Sequence, residues 1–466
     1  MNEFVKLMEI VNRVGEEVSV RGWICARRDM GKIVFLDIRD RSGRVQTIGV
    51  PKELDEATVE VLSRVRLGWL ISIVGIVQKR GDKQKTFSSP LDQVEILMKK
   101  VSVISESAPL PFEEVGTNDE NVELSEDLRL KYRYLDIRSD RMKNNLQKRH
   151  EVSLFLRNYF SKLGFWEIET PYLTKGTPEG AREFIIPSRL HKGNFYVLPQ
   201  SPQQFKQLLM VGGVEKYFQI VRCFRDEDHR GDRQPEFTQV DFEMSFIEQE
   251  DILQMIEKAM IELVAEVFPN LKIQQVPFPR LTYAEAQEKY KSDKPDLRTS
   301  EDPNVLAFGW VVDFPLFEFS ETENKMVAVH HPFTRPKKED MGILESEPLK
   351  VRADAYDLVL NGFEVGGGSL RIFERELQKK IFEILGLNEE SIKEKFGHLL
   401  EAFTFAPPPH GGLALGFDRL MALLLGEKNI REVIAFPKTG DAKDLLIGAP
   451  SDLAPEALRD AHIKIS

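Results

Sequence analysis

The sequence predicts an α+β protein of more than one domain, with a small β-barrel ahead of an antiparallel sheet flanked by helices. The chain has 466 residues, which is too long for one ordinary hydrophobic core. Short strands with glycine turns fill the first hundred residues. In the remainder strands follow strands, and helices lie at the margins, which favours an antiparallel sheet over a doubly wound parallel one.

Composition excludes several classes of protein. The N-terminal segment is both acidic and basic and has no sustained apolar core, so we expect no signal peptide. No apolar run reaches about 18 residues, so the sequence predicts no membrane span. Cys25 and Cys223 lie in segments without metal-ligand spacing, and we interpret them as buried thiols. A reducing, cytoplasmic location is therefore expected.

Charge is distributed unevenly along the chain. The net charge of −11 argues against indiscriminate binding of nucleic acid. Residues 21–46, however, hold seven basic residues against three acidic ones. An acidic body with one basic N-terminal face is typical of a protein that engages one particular RNA.

The first domain is predicted over residues 1–104. Val18 and Val20 alternate with polar residues, and Gly31 and Gly43 mark turns between short strands. This pattern fits a small Greek-key barrel such as the OB-fold. Phe35 lies on a strand flanked by arginines, so it either stacks on a base or belongs to the barrel core.

A polar segment at 105–135 is predicted to be a linker, and 136–466 a second domain. This domain begins with a helix whose apolar residues recur at helical spacing up to Gly164. A second helix is predicted over 250–267. Strands are predicted at Trp166–Ile168, Phe195–Leu198, Lys216–Arg225, Phe237–Phe246, Gly309–Phe314 and Asp357–Glu364.

Two arginines carry the strongest chemical signal. Arg225 ends an apolar run and is followed by a charged loop and a second strand that contains Phe237. A guanidinium can hold a phosphate as a planar fork, and a phenylalanine offers its face to a base. Arg419 stands at the head of an apolar helix. No GxGxxG or GxxxxGK[ST] motif is present, so a P-loop is not expected.

Three segments, in order, resemble motifs 1, 2 and 3 of the class II aminoacyl-tRNA synthetases: Gly164–Pro171, Phe224–Glu227 and Gly416–Arg419. Four more are similar to the bacterial type of aspartyl-tRNA synthetase: 177–184, 198–210, 330–336 and 361–372. The resemblance implies an ATP-dependent ligase that charges tRNA-Asp, with charging of tRNA-Asn left open. It also implies a homodimer formed through the motif 1 region.

The substrate pocket can also be interpreted from its residues. Lys206 lies one helical turn from Gln203, and Arg371 follows a run of glycines. Two cations that converge would select a carboxylate, because an amide would leave them unpaired at a cost of about 3–5 kcal/mol.

The resemblance assigns roles by residue. It implies aspartate binding by Glu179, Gln203, Lys206, Asp241, His330, His331 and Arg371. It implies ATP binding by Arg225, Glu227, Gln234, Phe237, Glu364 and Arg419, among which Arg225, Glu227 and Arg419 are catalytic. Phe237 and Arg419 would sandwich the adenine. Mg²⁺ would be held by Asp357 and Glu364, which are predicted to share one strand. The anticodon would be read by Arg28, Phe35 and Gln46.

The chain departs from this family in one place. Bacterial members usually carry a large inserted domain between motifs 2 and 3, and here only a loop near 298–309 is expected. The insertion is either naturally absent or was removed. Two alternatives remain: an asparaginyl enzyme of the same subclass, and a paralogue that kept the fold but lost charging.

Overall fold

The computed structural model describes residues 4–81, 89–112, 124–176, 181–227, 231–321 and 324–464. The chain divides into two compact units, residues 1–144 and 145–466. Among the described residues no helix is both long and apolar enough to cross a membrane. Neither cysteine forms a disulfide; Cys223 is buried as expected, whereas Cys25 is only half-buried.

The first unit contains a closed five-stranded barrel, which confirms the predicted OB-fold. The strands follow the order β1-β2-β3-β5-β4, in which β3 and β5 are parallel and every other neighbouring pair is antiparallel. Its elements are β1 (Glu17–Met30), β2 (Ile33–Arg39), β3 (Arg44–Gly49), α1 (Glu56–Arg64), β4 (Leu70–Lys79) and β5 (Val94–Ser105).

Alternation along β2 settles the position of Phe35. Leu36 and Ile38 are fully buried inside the barrel. Because successive side chains of a strand point to opposite faces, Phe35 lies on the outer surface, where it is half-buried. The alternative in which Phe35 belongs to the barrel core is therefore wrong.

The predicted linker contains regular structure. Two short helices, α2 (Glu126–Lys131) and α3 (Arg133–Asp136), occupy its C-terminal part. The Asp136 carboxylate, 9% exposed, pairs with both Arg129 and Arg133, and these contacts fix the two helices against each other. Residues 113–123 of the linker lie outside the described residues.

The second unit is built on an eight-stranded sheet. Its helices are α4 (Asp140–Lys162, which begins in the first unit), α5 (Gln203–Val211), α6 (Gln249–Val267), α7 (Tyr283–Tyr290), α8 (Arg375–Ile384), α9 (Glu389–Ala402), α10 (Phe417–Leu424) and α11 (Pro455–Asp460). Its strands are β6 (Trp166–Glu167), β7 (Ile185–Pro187), β8 (Phe195–Val197), β9 (Lys216–Phe224), β10 (Glu236–Ser245), β11 (Lys272–Ile273), β12 (Arg280–Thr282), β13 (Val305–Leu306), β14 (Phe308–Val312), β15 (Phe317–Ser320), β16 (Lys325–Ala328), β17 (Ala355–Leu360), β18 (Phe363–Leu370) and β19 (His410–Gly416).

The sheet order is β12-β14-β17-β18-β19-β10-β9-β6. Its six central strands are antiparallel, and only the two edge strands β12 and β6 pair in parallel. The antiparallel α+β core predicted from the sequence is thus confirmed.

The two faces of this sheet differ in polarity. Val240 and Phe242 of β10 are buried in a core formed with α4, α6 and α10. The intervening residues Asp241 and Glu243 therefore point to the opposite face. Gly412 of β19 makes room for Glu243, since a Cβ there would lie 2.2 Å from Glu243 Oε2.

One predicted element was wrong. Asp357 and Glu364 do not share a strand: they lie on neighbouring strands, β17 and β18, joined by a tight turn. Asn361 and Gly362 form this turn with φ of 51° and 86°. Asn-Gly is the preferred pair for two consecutive left-handed residues, so a hairpin forms where one long strand was expected.

Candidate functional site

A cavity of about 520 Å³ opens on the polar face of the sheet, a volume typical of small-molecule sites. The predicted residues that line it are Gln203, Lys206, Arg225, Glu227, Gln234, Phe237, Asp241, His330, His331, Asp357, Glu364, Arg371 and Arg419. Glu179 lies outside the described residues.

Four buried charges form what we call the charge cluster at one end of the cavity: Lys206, Asp241, Glu243 and Arg371. Lys206 Nζ lies 2.8 Å from Asp241 Oδ2 and 3.2 Å from Glu243 Oε2. Arg371 donates from Nε and Nη2 to the two oxygens of Glu243, at 2.9 and 3.2 Å. All four side chains are at most 2% exposed, so each charge depends on the others for compensation.

This cluster corrects the sequence-based argument for selectivity. Lys206 and Arg371 were expected to lack partners until an acidic substrate arrived, but Asp241 and Glu243 already pair with them. The formal charges of the cluster cancel, so an amide would not leave two bare cations. Asp241, expected to receive the substrate ammonium, accepts a bond from Lys206 through Oδ2.

The two carboxylates of the cluster differ in acidity. Burial raises the pKa of Asp241 more than Lys206 lowers it. Burial would also raise the pKa of Glu243, but the charges of Arg371 and Lys206 prevail and lower it. Glu243 is therefore the constant anion of the cluster, held between both cations.

The two adjacent histidines are in different electrostatic environments. Burial and the charge of Arg371 hold the pKa of His331 well below its usual value, so His331 is neutral and accepts a bond from Arg371 Nη1. Burial also lowers the pKa of His330, but the Asp357 carboxylate, 3.0 Å from Nε2, prevails and raises it.

The predicted nucleotide residues already have partners within the protein. The guanidinium of Arg225 lies 5.1 Å from the centre of the Phe237 ring. Arg419 donates to the backbone oxygen of Glu364 at 2.7 Å and lies 3.2 Å from Asp232 Oδ2. In this structure Arg225 thus lies over one face of Phe237.

Glu227 and Gln234 stabilise the loop around these arginines. Glu227 pairs with Arg233 at 3.2 Å. The Gln234 side chain donates to the backbone oxygen of Lys438 at 3.0 Å and accepts from its backbone nitrogen at 2.7 Å. Gln234 is buried, so its amide fastens the C-terminal segment beside the cavity.

Asp357 and Glu364 face each other across the hairpin. A Cβ on Gly367 would lie 2.8 Å from Asp357 Oδ1 and 3.4 Å from Glu364 Oε1, so glycine leaves both carboxylates the same open space. The charge of Asp357, together with burial, raises the pKa of Glu364. Two mutually repelling carboxylates fit a magnesium ion that takes its remaining ligands from phosphate and water. Among the described residues no group of three or more acidic, histidine or cysteine side chains is arranged to bind a metal.

The predicted anticodon residues form one patch on the outside of the barrel. The guanidinium of Arg28 lies 5.9 Å from the centre of the Phe35 ring. Arg28 also donates to Asp37 at 3.1 Å and to Gln46 at 2.9 Å. Gln46 in turn donates to Glu95 Oε2 at 2.9 Å.

Sequence reasoning missed several of these partners. Glu243 follows Asp241 at the two-residue spacing of a strand, and that alternation was the available signal. Asp232 lies within the charged loop after Arg225, where nothing distinguished it from its neighbours. Glu95 is remote in sequence from Gln46, and only the parallel pairing of β3 with β5 brings them together.

Comparison with protein families gives two matches. Residues 125–440 match the model described as tRNA synthetases class II (D, K and N). Residues 18–104 match an OB-fold nucleic acid binding domain.

Curated relatives match nearly the whole chain. An aspartate–tRNA ligase of Shouchella clausii is 40% identical over 97% of both chains. An aspartate–tRNA(Asp/Asn) ligase of Dictyoglomus turgidum is 41% identical over 97% of this chain and 96% of its own.

Solved structures share the fold. An asparaginyl-tRNA synthetase of Pyrococcus horikoshii aligns with a TM-score of 0.74 at 22% identity, covering 98% of this chain and 100% of its own. A putative aspartyl-tRNA synthetase of Leishmania major gives 0.73 at 20%, covering 94% of each chain. Both kinds of enzyme fit equally well, so the fold does not distinguish aspartate from asparagine.

The charge cluster leads to a prediction about stability. Glu243→Gln removes the anion that both cations share and leaves Arg371 without its bidentate partner. We expect the free energy of unfolding to fall by about 3–5 kcal/mol. Urea denaturation followed by circular dichroism measures this change.

Glu236→Gln is the matched control on the same strand. Glu236 also pairs with an arginine, Arg222 at 2.7 Å, but its side chain is 34% exposed. Its loss should change stability by less than about 1 kcal/mol. A loss for Glu243→Gln as small as the one expected for Glu236→Gln would show that the buried cluster does not stabilise the fold.

Proposed function

The chain belongs to the class II tRNA synthetases of the D, K and N group, and we propose that it attaches aspartate to tRNA. It is an ATP-dependent aminoacyl-tRNA ligase with an OB-fold tRNA-binding domain. One observation carries the choice of aspartate: relatives with about 40% identity over almost the full length of both chains are aspartate–tRNA ligases.

The charge cluster supplies the two cations that we propose to bind the substrate, although each is already paired with a carboxylate of the protein. Arg371 is aligned by Glu243 and Ser369, with Nη1 donating to Ser369 Oγ at 2.7 Å. We propose that Lys206 and Arg371 bind the side-chain carboxylate of the substrate, and that His330 and His331 cover it. Asp241 Oδ1, which Lys206 does not use, would receive the α-ammonium together with Gln203 and Glu179.

Activation needs a stabilised phosphate rather than a protein nucleophile. The α-carboxylate oxygen attacks the α-phosphorus of ATP, the bond to the bridging oxygen breaks, and pyrophosphate leaves. We propose that Arg225 neutralises the charge that builds on the α-phosphate, and that the purine stacks on Phe237. Arg419 would exchange Asp232 for the γ-phosphate, while Glu227 and Gln234 hold the loop in place.

Magnesium fits the space between Asp357 and Glu364 above Gly367. When bound, the ion would neutralise charge on the phosphates of ATP. His330 donates to Asp357 and so fixes the direction of one of the two proposed ligands.

In the second step a ribose hydroxyl at the 3′ end of the tRNA attacks the aspartyl carbonyl, and AMP leaves. The outer patch of the barrel supports recognition of an unstacked anticodon base. Phe35 offers a ring face and Gln46 an amide, both already oriented by Arg28.

We propose a homodimer through the motif 1 region. This region follows α4 and includes β6, the edge strand of the large sheet. Trp166 on β6 is 64% exposed, and Leu173 beyond it is 53% exposed. Large apolar side chains at an unpaired sheet edge favour burial against a second subunit.

The inserted domain of the family is proposed to be absent from the connection near 298–309. Within this range the structure has a loop only up to 304, because 305–306 form β13 and β14 begins at 308. The alignment with the Shouchella clausii relative runs over 576 positions, whereas this chain has 466 residues, so at least 110 positions have no residue from this chain. In the structure only loop and turn connect α7 with β13. None of the proposed site residues lies in the missing part.

Charging assays test the function and its tRNA scope. We expect labelled aspartate, but not asparagine, to be transferred to purified tRNA-Asp. Charging of tRNA-Asn in parallel separates the two kinds of relative, aspartate–tRNA and aspartate–tRNA(Asp/Asn) ligases. Charging with asparagine would favour the asparaginyl alternative, and no charging with either amino acid would favour a paralogue without activity.

Arg225→Ala should lower aspartate-dependent pyrophosphate exchange at least about a hundredfold, because the transition state loses its cation. Arg222→Ala on the same hairpin is the control: its side chain pairs with Glu236 outside the cavity. Near-normal exchange by the Arg225 variant would remove this residue from the mechanism.

Phe35→Ala should raise the KM for tRNA by roughly ten- to a hundredfold and leave pyrophosphate exchange unchanged, because a stacked base is worth about 1–3 kcal/mol. Phe4→Ala is matched, since Phe4 also lies beneath an arginine of the barrel, Arg21, at 4.3 Å. If exchange fell together with charging, Phe35 would act through the fold and not through RNA.

A further inference from the structure

A line of three buried side chains leads from the aspartate side of the cavity into the protein: Gln203, Gln207 and His410. Their exposed fractions are 6%, 0% and 2%. Only Gln203 borders the cavity. Gln203 and Gln207 are four residues apart on α5, so they lie on the same side of the helix, and His410 is the first residue of β19.

These residues are joined by hydrogen bonds. Gln203 Nε2 donates to Gln207 Oε1 at 3.1 Å. Gln207 Nε2 lies 3.2 Å from His410 Nε2, and His410 Nδ1 lies 2.8 Å from the backbone oxygen of Pro408.

The contact between His410 Nδ1 and the backbone oxygen of Pro408 sets the direction of the other hydrogen bonds. A backbone oxygen can only accept, so His410 Nδ1 carries a hydrogen and Nε2 of the neutral ring is an acceptor. Gln207 must then turn its NH₂ group to His410 and its oxygen to Gln203. Gln203 must in turn direct its NH₂ group to Gln207, which leaves its own oxygen as the acceptor on the cavity side.

We propose that Gln207 and His410 are positioning residues that fix the amide of Gln203 with its oxygen toward the α-ammonium of the substrate. This inference rests on the proposed function, in which Gln203 binds that ammonium. An amide that turned over would present an NH₂ group to a cation, so the same side chain would repel the substrate. The backbone oxygen of Pro408 thus determines, through His410 and Gln207, which atom of the Gln203 amide faces the cavity.

Burial supports the neutral ring on which this order depends. It lowers the pKa of His410 although Glu243 and the bond to Pro408 oppose it. The nearby cations Arg371 and Lys206 act in the same direction as burial. A doubly protonated ring would make Nε2 a donor and would reverse every bond in the line.

Gln207→Met tests the proposal, because it keeps the volume and removes both hydrogen-bonding groups. We expect the KM for aspartate in pyrophosphate exchange to rise roughly ten- to a hundredfold, as for the loss of a bond to a charged group, with the KM for ATP unchanged. Gln204→Met is the matched control on the same helix. Gln204 is 5% exposed, and neither polar atom of its side chain has a hydrogen-bond partner among the described residues.

Inhibition by succinate distinguishes a misoriented Gln203 amide from general damage to the pocket, because succinate is aspartate without the α-ammonium. Its inhibition constant should be the same for the wild-type chain and for Gln207→Met. If the inhibition constant of succinate rose by the same factor as the KM for aspartate, the proposal would be overturned. The same holds if Gln204→Met raised the KM for aspartate as much as Gln207→Met does. An unchanged KM for aspartate would overturn it as well.

His410→Leu provides a second route should Gln207→Met not fold, and the same readouts apply. If both variants fold, the KM for aspartate of the double variant should be no higher than that of Gln207→Met alone, because both residues act through the same series of hydrogen bonds. Additive losses would contradict that. Failure of the proposed function has a different signature: the wild-type chain itself would then show no aspartate-dependent exchange.

Discussion

The architecture of the site depends on compensating four buried charges. Lys206 lies on α5, Asp241 and Glu243 lie on β10, and Arg371 directly follows β18. These segments are far apart in sequence, and none of the four charges is tolerable without the others. Glu243 is central because it contacts both cations. The glycine at 412 is the condition for this arrangement, since any side chain there would displace the Glu243 carboxylate. The contacts that neutralise the buried charges therefore also align the groups proposed to bind aspartate.

Much of the fold could be predicted from local patterns. The alternation of Val18 and Val20 indicated the barrel, and helical spacing up to Gly164 indicated α4, because each pattern follows from one buried face. The hairpin at Asn361 and Gly362 was missed although its turn signal is present, since the apolar run on both sides was interpreted as continuous. Helices α2 and α3 were missed because the polar segment was interpreted as a linker, although Arg129, Arg133 and Asp136, which pair with one another, lie within eight residues of sequence.

The candidate site was predicted in its membership but not in its pairing. Residue type and motif order indicated Arg225, Lys206, Arg371 and Arg419, and all of them line one cavity. Their partners depend on strand register and loop geometry, which no single segment of sequence specifies. The inference that Lys206 and Arg371 were bare cations failed for that reason, because it counted charges along the chain and left out a carboxylate that alternation places beside them.

The internal pairing of the proposed recognition groups has a wider consequence. Three arginines that we propose to bind ligands already have partners within the protein: Arg419 pairs with Asp232, Arg225 lies over the Phe237 ring, and Arg28 pairs with Asp37. A ligand gains only the difference between its own contacts and those it displaces. A small anion that binds an arginine no more tightly than the internal carboxylate does gains no free energy by displacing it. The internal pairs therefore favour a ligand that makes several contacts at the same time.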